Sequence, residues 1–83
     1  MKVYLFQVEL SCILQAKKVT RKNSIVIGCD DPSKVTLEEL NRPENLHRAI
    51  PGFITGKIRE MYRVSKIISY SGPVGLDQKE AGL

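Results

Sequence analysis

From Tyr4 onward the even positions read Tyr4, Phe6, Val8, Leu10, Cys12 and Leu14, with Gln7, Glu9 and Ser11 between them. Apolar side chains recurring at every second residue scatter around a helix but share one face of an extended chain. The N-terminal segment is therefore committed to a strand with one face buried and the other wet. Val3 and Leu5 add apolar groups to the wet face at the start of this strand, marking that end as one to be covered on both sides, for instance by a partner.

A half-buried strand needs neighbours, and the rest of the chain supplies them. The β-branched run Ile25-Val26-Ile27, closed by Gly28, reads as a second strand. The polar, basic stretch before it predicts a hairpin turning around Thr20-Arg21-Lys22-Asn23. No glycine is available there, so Asn23 is the residue expected to take the left-handed turn conformation. Near the other end of the chain, Val64, Ile68 and Tyr70 alternate with Ser65, Ile67 and Ser69, giving a final strand stopped by Gly72-Pro73.

The middle of the chain changes period. Asp30-Asp31-Pro32-Ser33 is turn chemistry. Thr36-Leu37-Glu38-Glu39 fits a capping box, and Asn41-Arg42-Pro43-Glu44 repeats a helix start with proline in the first turn, where its missing N–H costs nothing. Leu46, Ala49 and Ile50 form a short stripe before Pro51-Gly52 breaks the path. Ile54, Ile58, Met61 and Tyr62, with Phe53 alongside, then predict an amphipathic helix over about residues 53 to 63. The expected fold is α+β: a small antiparallel sheet of about three strands in ββααβ order, packed against a helical layer. Residues 1–72 form the single domain, and 73–83, lacking periodicity and caps, are expected to be a mobile tail.

Length and composition agree with this plan. A chain of 83 residues, 42% hydrophobic and 27% charged, has room for one core and enough apolar side chains to order most of itself. No window approaches the roughly 18 apolar residues of a membrane span, and Met1-Lys2-Val3-Tyr4 leads into alternation rather than a signal-peptide core, so a cytoplasmic address without a membrane partner is expected. Cys12 and Cys29 are the only cysteines, too few for a stapled scaffold and without zinc-site spacing, and both are expected as reduced thiols. A bridge between them would require cross-strand neighbours with Cα atoms within about 7 Å.

The net charge of +4 is unevenly spread. Lys2, Lys17, Lys18, Arg21 and Lys22 face a single acid, Glu9, in the first 29 residues; Asp30, Asp31, Glu38, Glu39 and Glu44 outnumber Lys34, Arg42 and Arg48 in the next segment; Lys57, Arg59, Arg63 and Lys66 then stand against Glu60. Lys17, Lys18, Arg21 and Lys22, near the expected hairpin tip, are candidates for neutralising phosphates on a ribbon narrow enough to enter a major groove. Lysines on a sheet edge also keep it from pairing with other chains, which is the plainer explanation. Lys57, Arg59 and Arg63, with Lys66 beyond them, extend the candidate surface along the last helix, on the side opposite its apolar stripe, where charges are expected in any case.

No catalytic, cofactor-binding or metal site can be named. Gly52-Phe53-Ile54-Thr55-Gly56-Lys57 is one residue short of a phosphate loop and lacks the following Ser or Thr. His47 is alone, the acidic pairs are accounted for by turns and the helix dipole, and Cys12 lies among core residues. Tyr4, Phe6, Phe53, Tyr62 and Tyr70 all fall on expected core faces, leaving none to stack on bases. Read as helix, turn and helix, Ile58 to Tyr70 resembles a helix-turn-helix core, yet Arg63 stands where the usual turn glycine would be and Gly72-Pro73 cuts the second helix short. The leading expectation is a non-enzymatic interaction protein that associates with itself as a homodimer or with a protein partner. Nucleic-acid binding through the basic hairpin tip and helix face is the alternative.

Overall fold

The computed structural model describes residues 1–74. Its elements are β1 (Lys2–Leu14), β2 (Lys17–Cys29), a 3₁₀ turn (Pro32–Lys34), α1 (Leu37–Leu40), α2 (Pro43–Ala49), α3 (Gly56–Met61) and β3 (Arg63–Ser71). The three strands form one antiparallel sheet in the order β2-β1-β3, so the N-terminal strand is central and the expected α+β architecture is present. At about 3.3 Å per residue, the two 13-residue strands account for most of the molecule's longest dimension, 48 Å.

The alternation of β1 decides which face is covered. Tyr4, Phe6, Val8, Leu10 and Cys12 are buried under the helical layer together with Ile25, Ile27 and Val64 from the flanking strands and Leu40, Ala49, Ile50, Ile54 and Tyr62 from the layer itself. Residues directly opposite each other in an antiparallel pair share a face. Phe6 opposite Ile25 and Tyr4 opposite Ile27 therefore put two aromatic–aliphatic pairs into the core, and Tyr70, opposite Phe6, packs its ring 5.5 Å from that of Phe6.

This pairing corrects the hairpin. Chain reversal occurs at Gln15 and Ala16, both left-handed with φ of 51° and 65°, and Thr20 to Asn23 are strand residues. Two consecutive left-handed residues make the tight turn whose twist matches that of the strands. Asn23 faces the helical layer from β2 and donates its amide N–H to Ala49 O at 2.6 Å, pinning the end of α2 to the sheet. The energetic reason is that a turn at 20–23 would strip Tyr4 and Phe6 of Ile25 and Ile27, and the hydrophobic pairing outweighs the turn preference of one asparagine.

Helix starts follow the sequence where side chains do the capping. Thr36 Oγ1 accepts from Glu39 N at 3.2 Å and Thr36 N donates to Glu39 Oε1 at 3.4 Å, the reciprocal box. Asn41 does something else. Arg42 is the N-cap of α2, while the Asn41 side chain accepts from Val64 N (2.8 Å) and donates to Val64 O (2.9 Å) and Leu37 O (3.0 Å). It thus engages both main-chain polar groups of Val64 on the free side of β3, as a further strand would.

The helix expected over 53–63 is shorter. α3 begins only at Gly56, whose φ of +71° is the left-handed conformation that glycine tolerates, and Pro51 to Thr55 form a turn with Ile54 N donating to Pro51 O. Ile54 and Tyr62 are buried as expected; Ile58 and Met61 are exposed, and Phe53 is 72% exposed, so it is not a core aromatic. Tyr70, at 44%, is only partly one. Arg63 to Ser71 is extended and pairs with β1, which removes the helix-turn-helix parse. The tail expected from residue 73 onward lies, beyond Val74, outside the described residues; Val74 N still donates to Val3 O at 2.7 Å.

Candidate functional site

Because β2 and β3 flank the same strand and both run antiparallel to it, their first halves lie at the same end of the sheet. That end carries Lys17, Lys18, Arg21 and Lys22 from β2 and Arg63 and Lys66 from β3. The two basic segments of the sequence converge there, and Glu9, set between Lys22 and Lys66, is the one carboxylate on those strand halves. β3 starts opposite Ser11, so Cys12 to Val19 continue beyond it as a two-stranded ribbon.

The cations divide between faces. Lys18, Lys22 and Lys66, opposite Ile13 and Glu9, project from the open face of the sheet, as does the position of Arg63 opposite Ser11. Lys17 and Arg21, opposite Leu14 and Leu10, project from the covered face, where the Arg21 guanidinium lies 5.0 Å from the centre of the Phe53 ring. That contact explains how an exposed aromatic is held, since a cation over a ring face contributes on the order of 0.5–1 kcal/mol at an exposed site. Among the described residues no element packs on the open face, which bears Gln7, Glu9, Ser11, Thr20, Ser24 and Ser69 in its middle and Val3, Leu5 and Val26 toward the end away from the turn.

The basic residues of the last helix serve the fold as well. Arg59 donates to Pro51 O (2.9 Å), Ile54 O (3.0 Å) and His47 O, tying the 51–55 turn to the end of α2. Arg63 donates to Glu60 O (2.8 Å) and Tyr62 O (2.7 Å), closing the C-terminal end of α3. Lys57 projects from the first turn of α3 and is exposed. In the sequence these residues group with the hairpin cations by charge alone; the carbonyl bonds of Arg59 carry no signal in local sequence.

The remaining reactive groups are placed by packing. Cys12 is buried on the covered face and Cys29 sits at the far end of β2, opposite Lys2. Ten ladder positions, about 33 Å at strand rise, separate them, so they are not cross-strand neighbours. Burial raises the Cys29 pKa, and the carboxylates of Asp30, Asp31 and Glu39 raise it further, keeping the group a thiol. Among the described residues no three metal-ligating side chains cluster, and no helix is long and apolar enough to cross a membrane. Compared with protein-family models, curated proteins and solved structures, the chain matches none.

Proposed function

We propose that this chain is a non-enzymatic interaction protein that associates with itself. The supporting observation is the three-stranded sheet: one face carries the helical layer, while the other face and the outer edge of β2 meet no described element. Unpaired strand edges present rows of N–H and C=O groups that template pairing with another chain. Light scattering on fractions from a sizing column should show a mass that rises from one chain toward two as concentration increases. A clean monomer at high micromolar concentration overturns the proposal.

Nucleic-acid binding is the second reading, favoured by the convergence of Lys17, Lys18, Arg21, Lys22, Arg63 and Lys66 at one end of the sheet. The open face carries hydroxyls and an amide between its lysines and has no aromatic, which suits contact with a phosphate backbone rather than stacking on bases. If three or four phosphates are neutralised, the logarithm of duplex affinity falls with the logarithm of salt with a slope of about −3. Replacing Lys17, Lys18, Arg21 and Lys22 together with glutamine should abolish retention. No retention of duplex DNA or RNA at low salt removes this reading.

A further inference from the structure

The edge that would carry self-association can be named, and so can its register. β3 is a poor candidate. Its ladder with β1 is broken by register shifts at Gln7/Val8 and Glu9/Leu10, Asn41 already occupies Val64, and β3 contains no acid to offset Arg63 and Lys66 in a second copy. Irregularity and cations of this kind are how edges avoid pairing.

β2 is regular, and although it too holds no acid, Asp30 follows it directly. Its 13 residues pair with β1 without a register shift, and Asn23 to Cys29 is an uncharged, β-branched stretch bounded by Lys22 on one side and Asp30 on the other. In a two-fold antiparallel pair that keeps both helical layers on one side, facing residues must have the same parity, so the axis passes through a residue. Centred on Val26, the pairing sets Ile25 opposite Ile27, Ser24 opposite Gly28, Asn23 opposite Cys29 and Lys22 opposite Asp30. Centred on Ile25, it sets Lys22 against Gly28; centred on Ile27, against Pro32. Centred on Ser24, it sets Lys18 opposite Asp30 but also buries the joint's apolar residues against cations, Lys22 facing Val26 and Arg21 facing Ile27. The Val26 register places opposite charges together while keeping the apolar residues facing one another, and two-fold symmetry makes that pair twice. The Asp30 side chain is 93% exposed, and among the described residues its ion pair is with the N-terminal ammonium, 3.9 Å away.

We propose that a second copy of this chain pairs along the edge of β2, antiparallel about Val26, with Lys22 of each copy opposite Asp30 of the other. This rests on the self-association reading and gives it a site. The result is a continuous six-stranded sheet. Val26, 41% exposed in the single chain, is covered by its own counterpart, and Ile25 and Ile27 extend the core across the junction. Pairing stops at Asp30, where the chain turns into the 3₁₀ turn, so Lys17 to Arg21 overhang the joint at either end.

Two experiments on the full chain test it. With Cys29 replaced by serine, V26C should form a disulfide-linked dimer on mild oxidation and S24C should not. The two Ser24 residues would stand four residues apart along the joint, about 13 Å at strand rise, beyond disulfide reach. Separately, Lys22→Glu or Asp30→Lys should each weaken the dimer about tenfold or more by setting like charges opposite twice over. The double variant K22E/D30K, or an equimolar mixture of the two single variants, should restore it. Circular dichroism checks that each variant is folded; Lys22, Ser24, Val26 and Asp30 are exposed, and the half-buried Cys29 is replaced by the near-isosteric serine. A wild-type dimer with cross-linking at S24C but not V26C, or with no rescue by the double variant, overturns this edge and register while leaving self-association standing; a wild type that is monomeric throughout overturns both.

Discussion

At one end of the sheet, Tyr4, Phe6, Ile25 and Ile27 are buried in the core, with Tyr70 packed on the Phe6 ring from the third strand. At the other, beyond Ser11, two strands continue alone and their side chains include Lys17 and Lys18. The same central strand runs through both, and its apolar positions recur without a break from Tyr4 to Leu14. The difference comes from the partners. Where β2 offers Ile25 and Ile27, both strands are sealed into the core; where β2 offers Lys17, Val19 and Arg21, β1 stays buried at Leu10 and Cys12 but β2 itself becomes the margin, and Arg21 is accommodated by lying over the Phe53 ring. An alternating strand thus tells which of its faces is inward, and the neighbouring strand tells where the core stops spreading sideways.

The comparison breaks first if the apolar end does not dominate stability. Phe6→Ala, a fully buried aromatic at the meeting of all three strands, should lower the free energy of unfolding by about 3–5 kcal/mol, measured by urea denaturation; a loss under about 1 kcal/mol would contradict the core assignment. Asn41→Leu should cost about 2–3 kcal/mol, because Val64 loses both of its side-chain partners at the point where β3 joins the layer. Hydrogen exchange at the Val64 amide should accelerate with it. At the basic end the expected sign reverses. Ala16→Gly relieves a left-handed alanine and should stabilise by about 1 kcal/mol, visible as a higher melting temperature; destabilisation would mean that the reversal lies elsewhere.

The smallest expected effect concerns Cys29. Partial burial first, and then Asp30, Asp31 and Glu39, raise its pKa in the folded chain. The protonated thiol is therefore favoured by folding, a contribution present below the unfolded-state pKa and lost as pH rises through the folded one. In mildly alkaline buffer, iodoacetamide should alkylate Cys29 more slowly in the folded chain than in urea, with the rate rising at a higher pH. Equal pH profiles would show that the carboxylates exert no such influence.

How far the chain could be read before its structure was known follows the same division. β1 was legible because ten residues repeat one instruction, and the Thr36 box because both partners lie within a four-residue window. The turn was misplaced because Gln15 and Ala16 carry no turn chemistry while Asn23 does; the information lay instead in the need of Tyr4 and Phe6 for Ile27 and Ile25, a long-range pairing. Ile58 and Met61 fitted a helical stripe yet face outward, since Gly56 starts the helix late and leaves Ile54 and Tyr62 to do the burying from outside it. For the candidate surface, the composition of both basic segments was visible, but their meeting required the order β2-β1-β3, which no local pattern states.

The Asn41 amide has a consequence for how large an assembly of this chain can become. With one rim of the sheet capped at Val64 by the residue that ends α1, and with two breaks in its ladder, the opposite rim is the more regular one among the described residues. Two copies joined there as proposed would present to a third only the outer borders of β3, each capped at Val64 and irregular in its ladder. On the proposed pairing growth would end as a closed pair rather than a fibre, and loosening that asparagine is the change that would favour further stacking.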